Sequence, residues 1–462
     1  MTVSLGADSR AALISLATLA LALVTTAPAM AAASGPPTPI DLFNNYQACS
    51  TDTSSPVYVD ARLDLPLEAL SQDSVDSPFV TEQFRVFPVS DPSQVVTFSN
   101  QFALPGIEQS VSVPGSDLAD GLTYAWQVQT VAASGTSALS APCYFTVDNT
   151  SPSSVPTVSS SNYPSGQLNQ GGAPIKLTLG ANGVSDVAGY VFSWSGSLPV
   201  AGVATIGPNG VPQPIDPYTS DPANFAAAST LGGSASASLI PPTDTGLLVL
   251  TVASLDRAFN ESPPTTFFIF VKHDGPTITQ LNPNLMFGKK AEFQLTPDPG
   301  LQAASPVVSY TVQAFGGQTS KTSTVKASAD GTAEFGLLLD DPLSDFIVVT
   351  SRSADGWVSQ NSFWNFDVDT TPTVSSNVYV ENQTSGGVGV PGTFTFAPKV
   401  KGITSYTYGF SDGTGGTVAT HANGTAEITF TPTQSGFYFL DVYGTTKDGL
   451  QLTDYFYVFF VN

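Results

Sequence analysis

Four segments of the chain end a stretch of alternating apolar residues in nearly the same way. They are Phe145–Pro152 (FTVDNTSP), Phe268–Pro276 (FIFVKHDGP), Phe366–Pro372 (FDVDTTP) and Tyr455–Asn462 (YFYVFFVN). Each follows another alternating strand and a short polar turn, which is the pattern of a β-hairpin. Proline ends the first three segments. Because proline has no backbone N–H to donate, it stops the strand and begins a linker. The repeat therefore predicts tandem units, each closed by a hairpin.

The front half of each unit repeats as well. An alternating strand leads through a loop to a tyrosine-containing strand in Ile175–Gly196, Phe293–Gly317 and Phe394–Gly413. Between the halves, Gly331–Leu339 and Gly424–Pro432 begin with the same four residues, GTAE. Short strands and turn signals in units of about 100 residues are typical of immunoglobulin-like sandwiches. We predict an all-β chain of tandem immunoglobulin- or fibronectin III-like β-sandwich domains, each with its own core.

The repeats also predict where the domains begin and end. The predicted organisation is a signal peptide at 1–31, a flexible leader at 32–39, domain 1 at 40–148, domain 2 at 149–273, domain 3 at 274–369 and domain 4 at 370–462. Domain 2 contains a long loop, 197–233, dense in Pro, Gly and Ala. This loop is either a surface loop without function or a binding loop, because long loops at the ends of sandwiches often carry function.

The N-terminus has the features of an export signal. Arg10 precedes the apolar stretch Ala11–Val24, which is too short to span a bilayer. Small residues follow, and Ala29 and Ala31 predict cleavage after Ala31, with Ala33 as the alternative. We therefore expect a secreted, extracellular protein, either free or associated with the cell envelope. We expect no membrane insertion of the mature chain.

Two cysteines, Cys49 and Cys143, lie near the two ends of domain 1. An isolated pair in an oxidising compartment is expected to form a disulfide, and two free buried thiols are the alternative. The bond would close a loop of about 95 residues and stabilise the domain by about 4 kcal/mol in the chain-entropy model.

The chain is acidic, with a net charge of −23 and a sequence pI of about 4.1. Such a surface repels nucleic acid and anionic lipid, so neither is an expected partner. Hydrophobic residues make up 41% and aromatic residues 10% of the sequence, which is too much for a disordered chain. The acidity favours solubility, and calcium binding is the alternative where carboxylates cluster.

The hairpins carry a resemblance to a known kind of domain. Thr123–Val128 with Cys143–Asp148, Leu255–Ser262 and Ser353–Ser359 resemble the closing hairpin of bacterial fibronectin III or immunoglobulin-like modules in secreted actinobacterial proteins. Tyr408–Gly413 (YGFSDG) is similar to a turn of PKD-type sandwiches. The resemblance implies β-sandwiches that act as spacers, adhesive surfaces or appendages to enzymes. Domain 1 departs from it, with AASGTS where the aspartate of the hairpin would stand.

No catalytic motif is present. Ser–His–Asp catalysis needs an imidazole base, but His273 lies in a predicted linker and His421 in a Gly/Thr-rich turn. Zinc-protease, P-loop and Rossmann motifs are absent. A carboxylate pair of the glycosidase type remains the alternative, because it needs only two acidic residues. We predict that the chain is not an enzyme.

Two carboxylate clusters are candidates for calcium, which needs six to eight oxygen ligands. The first contains Asp73 and Asp76, and the second contains Asp340 and Asp341. One acidic residue also lies near each linker, where a single carboxylate is too little for calcium and aspartate is a good turn residue. No cofactor is expected, and calcium at these clusters is the alternative.

Three aromatic residues are candidate ligand contacts. Trp357 lies in a predicted hairpin turn, where it either stacks on a sugar or partner or packs over the end of a sandwich. Tyr218 and Phe225 lie in the long loop of domain 2. We predict a non-catalytic surface or matrix interaction and spacer module with an extracellular protein or a cell-envelope glycan as partner. Carbohydrate or cell-wall binding through exposed aromatics is the alternative.

Overall fold

The computed structural model is almost entirely β-structure. The described residues are 35–72, 78–241, 246–315, 320–342, 346–365 and 367–462. The predicted signal peptide, residues 32–34 of the leader, and Asp73 and Asp76 lie outside them. The helical segments of the described residues are α1 (Pro217–Ser220), α2 (Pro299–Ala304) and the 3₁₀ turns Gly115–Asp117 and Pro208–Gly210. The described part of the chain holds no helix that is long and apolar enough to cross a membrane.

Domain 1 is a sandwich of two sheets. Its strands are β1 (Ile40–Asn44), β2 (Gln47–Ala48), β3 (Val57–Val59), β4 (Leu65–Leu70), β5 (Val80–Pro88), β6 (Val96–Ala103), β7 (Gln109–Val113), β8 (Thr123–Ala132), β9 (Gly135–Thr136) and β10 (Cys143–Val147). One sheet has the order β2-β1-β4-β7 and the other the order β3-β10-β8-β5-β6, with β9 beside β8. The two sheets enclose a core that contains the fully buried rings of Phe84, Trp126 and Phe145.

Domain 2 is also a sandwich of two sheets, and it has additional elements between residues 193 and 235. Its strands are β11 (Thr157–Ser160), β12 (Leu168–Asn169), β13 (Ile175–Gly180), β14 (Gly189–Ser193), β15 (Ala204–Ile206), β16 (Pro212–Pro214), β17 (Phe225–Ala227), β18 (Ala235–Leu239), β19 (Leu247–Leu255) and β20 (Thr265–Val271). The sheets have the orders β11-β13-β18 and β12-β20-β19-β14-β17. The predicted loop 197–233 is therefore ordered, because it holds the β15–β16 hairpin, α1 and the edge strand β17.

Domains 3 and 4 share one topology. The strands of domain 3 are β21 (Thr277–Gln280), β22 (Lys290–Thr296), β23 (Val307–Phe315), β24 (Ser320–Lys326), β25 (Ala333–Leu338), β26 (Phe346–Ser353) and β27 (Ser362–Asn365). Those of domain 4 are β28 (Thr373–Ser376), β29 (Gly392–Ala397), β30 (Ile403–Phe410), β31 (Gly415–Ala419), β32 (Ala426–Phe430), β33 (Gly436–Thr446) and β34 (Tyr455–Val461). The sheet orders are β21-β22-β25 and β24-β23-β26-β27, then β28-β29-β32 and β31-β30-β33-β34. The prediction of all-β, immunoglobulin-like sandwiches is confirmed; the numbered domain limits stay a prediction.

A buried tyrosine explains the repeated front halves. In domains 2, 3 and 4, a tyrosine on β14, β23 or β30 donates its hydroxyl hydrogen to a glycine carbonyl oxygen just before β18, β25 or β32. The pairs are Tyr190 with Gly233 (2.6 Å), Tyr310 with Gly331 (2.5 Å) and Tyr406 with Gly424 (3.0 Å). Gly331 and Gly424, which begin the two GTAE sequences, have φ of 83° and 84°. Only glycine adopts that conformation at little cost, which explains why glycine occurs at this position in both GTAE sequences.

Replacing Tyr310 with phenylalanine is expected to destabilise domain 3 by about 1–3 kcal/mol, because the buried Gly331 carbonyl loses its donor. Urea denaturation of the full chain measures the change. Tyr443→Phe, on a half-buried tyrosine of β33, is the control and is expected to change stability by less than about 0.5 kcal/mol. An unchanged midpoint for Tyr310→Phe would contradict the role of this hydrogen bond.

The predicted disulfide is confirmed. Cys49 and Cys143 are bonded, with their Cα atoms 5.4 Å apart and a sequence separation of 94. Cys143 is fully buried at the start of β10, and Trp126 of the neighbouring strand donates its indole N–H to Asn44 Oδ1 at 2.6 Å. The disulfide therefore ties the first part of the domain to its last strand, beside the core.

Domains 2 and 3 do not have separate cores, and that prediction is wrong. One continuous buried cluster runs from Tyr163 of domain 2 to Val368 at the end of domain 3. Domain 1 and domain 4 each have a cluster of their own. The connection is made by Trp357 and Leu301 of domain 3, which reach the backbone of Gly171 and Gly172 in domain 2.

Candidate functional site: the domain junctions

The hairpins that the sequence repeats lie at the junctions between domains. In domains 2, 3 and 4, the turn that joins the last two long strands is closed by one isolated bridge. The bridges are Leu255 with Glu261, Arg352 with Val358 and Thr445 with Gln451. We call residues 255–262, 352–359 and 445–453 the junction hairpins. Each contacts either the preceding domain or the linker that leads from it.

Serine side chains brace the first two junction hairpins from within. Ser262 Oγ accepts the N–H of Ser254 at 3.0 Å, and Ser359 Oγ accepts the N–H of Ser351 at 2.8 Å. All four residues are buried. Because the buried strand N–H groups are satisfied inside the hairpin, each turn keeps a defined shape against its neighbour.

The junction of domains 1 and 2 is polar and centred on Asn260. Its side-chain N–H donates to the carbonyl oxygen of Asp148 at 2.8 Å, and its Oδ1 accepts from Arg62 at 2.7 Å. Arg62 in turn forms an ion pair with Asp60 at 2.7 Å. Asn260 is only 3% exposed, so these hydrogen bonds are shielded from water. The last strand of domain 1 is thus fixed to the hairpin of domain 2.

Asp256 holds the shape of that hairpin. Its carboxylate accepts from the Ala258 N–H at 2.8 Å, and from the N–H and side chain of Asn260, both at 2.9 Å. Burial raises the pKa of Asp256 to about 6, although the Asn260 hydrogen bonds act in the opposite direction. Next to it, the Arg257 guanidinium lies 3.5 Å from the centre of the Tyr58 ring of domain 1. This cation–π contact adds a second link across the junction.

The junction of domains 2 and 3 is closed by Trp357, which is fully buried. Its ring stacks on Tyr163 of domain 2, with 6.0 Å between centroids and an interplanar angle of 14°. At Gly171, an added Cβ would lie 2.7 Å from the Trp357 ring, so only glycine leaves room for the indole. The expectation that Trp357 is an exposed ligand contact is wrong, because the ring fills the space between two sandwiches.

A buried carboxylate holds the linker at the same junction. Asp274 is 0% exposed and accepts from Trp357 Nε1 at 2.8 Å and from the Gln360 N–H at 2.9 Å. Gln170 of domain 2 donates to Asp298, which caps the N-terminus of α2, at 3.3 Å. The linker is therefore anchored to domain 3 while the indole anchors domain 3 to domain 2.

The junction of domains 3 and 4 combines hydroxyl groups with an apolar contact, because Phe287 of domain 3 packs against the core cluster of domain 4. Thr370, which is 1% exposed, donates its hydroxyl hydrogen to Thr453 Oγ1 at 2.8 Å and accepts the Thr453 N–H at 3.1 Å. Asp369, the residue before it, forms an ion pair with Lys399 at 2.5 Å. Exposed ion pairs of this kind contribute little stability.

The candidate residues of the long loop form an internal cluster. Phe225 is 4% exposed and lies 6.5 Å from the Tyr218 ring, which also contacts Phe259 at 6.4 Å. Burial and the nearby charges of Asp216 and Asp256 raise the pKa of the Tyr218 hydroxyl. Phe225 is buried because β17 pairs with β14, so the expectation of a free ligand contact there is wrong.

The candidate calcium ligands that the structure describes are not assembled into a site. Asp340 accepts from Lys321 Nζ at 2.8 Å, and Asp341 is adjacent to it. The described ranges contain no group of three or more His, Cys, Asp or Glu residues that could hold a metal ion. His273 and His421 are both exposed, the first before β21 and the second before β32.

Sequence reasoning missed the residues that make the junctions. Asp274 is one of the acidic residues near the linkers, where the sequence indicates only a turn, and the sequence pattern indicates no junction role for Asn260 or Gly171. One sequence feature, the position of these residues within their hairpins, could have indicated the junctions. Asn260 and Trp357 both come one residue before the closing bridge residue of their hairpins, so the same position faces the preceding domain twice. Alignment of the hairpins by their bridges would have marked both residues as junction residues.

Comparison with known proteins gives structural overlaps and no relative in sequence. No protein-family profile and no curated protein matches the chain. A crystal structure of chicken CNTN1 FN1–FN3 domains overlaps 67% of this chain and 99% of its own, at 10% identity and a TM-score of 0.24. Salmonella α-2-macroglobulin reacted with methylamine overlaps 91% of this chain at 7% identity and a TM-score of 0.25. The overlap covers 33% of the macroglobulin chain. These overlaps do not assign a family, and the strand pairing described above defines the fold.

Proposed function

We propose that the chain is a non-catalytic extracellular spacer and interaction module whose junction hairpins hold neighbouring sandwiches in fixed orientations. The observation that carries the proposal is Trp357, a fully buried indole that stacks on Tyr163 of the preceding domain. Domains joined by small polar interfaces normally move relative to one another. A shared apolar core between domains 2 and 3 opposes that motion.

Charge and chemistry support an extracellular role. The net charge of −23 disfavours nucleic acid as a partner and keeps the chain soluble. The disulfide of domain 1 is the kind that persists in an oxidising compartment. An extracellular protein or a cell-envelope glycan is the partner class we propose, with the exposed loops and sheet faces as the contact surfaces.

Small-angle X-ray scattering of residues 32–462 tests the spacer proposal. We expect the scattering curve to fit the structure as one conformation, at several protein concentrations. A curve that fits only a broad ensemble of domain arrangements would contradict fixed junctions.

A second candidate function is carbohydrate binding at Trp194. This half-buried residue lines a depression of about 670 Å³ together with Ser195, Pro222, Asn224 and Ile240. One aromatic ring beside hydroxyl and amide groups suits a sugar. The test is retention of the mature chain on isolated cell walls and insoluble polysaccharides, with Trp194→Ala as the variant. Saturable retention that Trp194→Ala abolishes supports this candidate, and no retention on any glycan contradicts it.

A further inference from the structure

The β15–β16 hairpin of domain 2 contacts domain 1 at the β1–β2 turn and at the loop before β7. Gly202, Val203 and Ile215, which flank or connect β15 and β16, line a depression of about 280 Å³ together with Tyr46 and Gln47 of domain 1. The carbonyl oxygen of Asn209, at the tip of this hairpin, accepts the Glu108 N–H at 2.7 Å. Domain 2 therefore reaches back over domain 1 at a second place, away from its junction hairpin.

Glutamates gather at this end of domain 1. Glu68 on β4 is 3% exposed and accepts the Tyr46 N–H at 3.0 Å. Glu82 on β5 is 0% exposed, and Ser71 is the polar residue that donates towards its carboxylate. Glu108 Oε1 is buried and unpaired in the described part of the chain. Buried carboxylates with so few donors are costly in the ionised form.

Among the described residues, no ion pair compensates these carboxyl groups. The ion pairs of the described residues involve Asp60, Asp340 and Asp369, and none of the three glutamates. Tyr46 and Asp216 line the depression beneath the hairpin, and the Arg257 guanidinium lies on the ring of Tyr58, whose carbonyl oxygen accepts from Gln47. Near Glu82, the Ser71 and Thr130 hydroxyls are hydrogen-bonded to each other at 2.8 Å.

We propose that this contact is a proton-controlled clamp, in which the β15–β16 hairpin is held on domain 1 while Glu68, Glu82 and Glu108 are protonated and loosens when they ionise. Opening lets water reach Glu108 and the Tyr46 turn that covers Glu68. Ionisation of Glu108 also acts on both other carboxyl groups, since its charge disfavours theirs. The three groups therefore respond together.

Burial raises the pKa of each of the three glutamates to about 7, from an ordinary value of 4.5. Hydrogen bonds from the Tyr46 N–H to Glu68 and from Ser71 to Glu82 lower the pKa in part, and the charge of Glu108 raises the pKa of both groups. A carboxyl group with a raised pKa stabilises the closed form fully below its ordinary pKa, and that stabilisation is lost as the pH rises through the raised value. The clamp should therefore be closed at mildly acidic pH and loosen towards pH 7 and above.

Hydrogen exchange of the full mature chain, followed by mass spectrometry, tests the clamp. The readout is the protection of peptides covering 202–215 and 104–110, corrected for the intrinsic pH dependence of exchange. Between about pH 5 and pH 8, protection in the wild type is expected to fall by about tenfold or more. In Glu68→Gln/Glu82→Gln/Glu108→Gln it should stay at the acidic value, because the amides cannot ionise. Glu334→Gln, at an exposed position of β25, is the matched control and should behave as the wild type.

Equal pH profiles for the wild type and the triple variant, or a flat wild-type profile, would overturn the proposal. Circular dichroism checks that the triple variant is folded. If the triple variant is not folded, the single variant Glu108→Gln is measured instead, because Glu108 is only half-buried. A smaller change of protection with pH than in the wild type supports the clamp, and an unchanged one overturns it. Calcium chloride is also added at pH 8 and then removed with a chelator. If calcium restores protection, the chelator reverses it and pH has no effect, a cation and not a proton controls the contact, and the proposal is overturned.

Discussion

Replacing Trp357 with alanine is expected to lower the free energy of unfolding of domains 2 and 3 by about 3–5 kcal/mol. The change removes a fully buried indole that stacks on Tyr163 and leaves a cavity between the two sandwiches. It also takes one donor from Asp274, whose carboxylate stays buried. Because Trp357 connects the cores of the two domains, we expect their joint unfolding transition to split into two.

Differential scanning calorimetry of the full chain measures both the loss and the split. Trp357→Phe keeps an aromatic ring but not the N–H, so its effect should be smaller. Phe437→Ala is the control, because it removes an exposed aromatic ring from domain 4 and should leave the transition of domains 2 and 3 unchanged. If Trp357→Ala leaves one transition at the same temperature, the two domains are not coupled through this residue.

Removal of the disulfide, in Cys49→Ser/Cys143→Ser, is expected to destabilise domain 1 by about 4–5 kcal/mol. The bond closes a loop with a sequence separation of 94, and the chain-entropy model gives nearly 5 kcal/mol for a loop of about 100 residues. The effect should be confined to domain 1, because both cysteines and the core beside them belong to that sandwich. Urea denaturation followed by hydrogen exchange of domain 1 peptides measures it.

A reducing agent should reproduce this loss in the wild type and add nothing in the double variant. Domains 3 and 4 serve as internal references, since their cores are separate from that of domain 1. An equal loss of protection in all four domains would contradict this expectation, because the disulfide would then act on more than its own sandwich.

Most of the fold could be predicted from local sequence patterns. Alternation of apolar residues in β22 (KAEFQLT) and β29 (GTFTFA) matches the buried and exposed faces of those strands. The repeated GTAE sequences correspond to turns that need glycine before β25 and β32. The pairing of Cys49 with Cys143 followed from the presence of only two cysteines in a chain with a predicted export signal. These features depend on neighbours in the sequence or on counting, so they were predictable.

The junctions were not predictable in the same way. Trp357 and Asp274 are 83 residues apart, and the exposure of a turn residue depends on which domain comes to rest on it. Phe225 lies in a segment dense in Pro and Gly, which predicted an exposed side chain, but β17 pairs with β14 and places Phe225 in the sheet. Glu82 is in phase with Phe84 on β5, and only the packing of the two sheets shows that its carboxylate is buried. In each case a contact between distant segments decides the burial.

The central claim is that the junction hairpins fix neighbouring domains, and a distance distribution across the domain 2–3 junction tests it most directly. Nitroxide labels at Thr178→Cys on β13 and Thr322→Cys on β24 occupy exposed strand positions, and the native cysteines are paired. Double electron–electron resonance should give one narrow distance in the labelled wild type and a broad distribution when Trp357→Ala is added. A broad distribution in the labelled wild type, unchanged by Trp357→Ala, would contradict the claim.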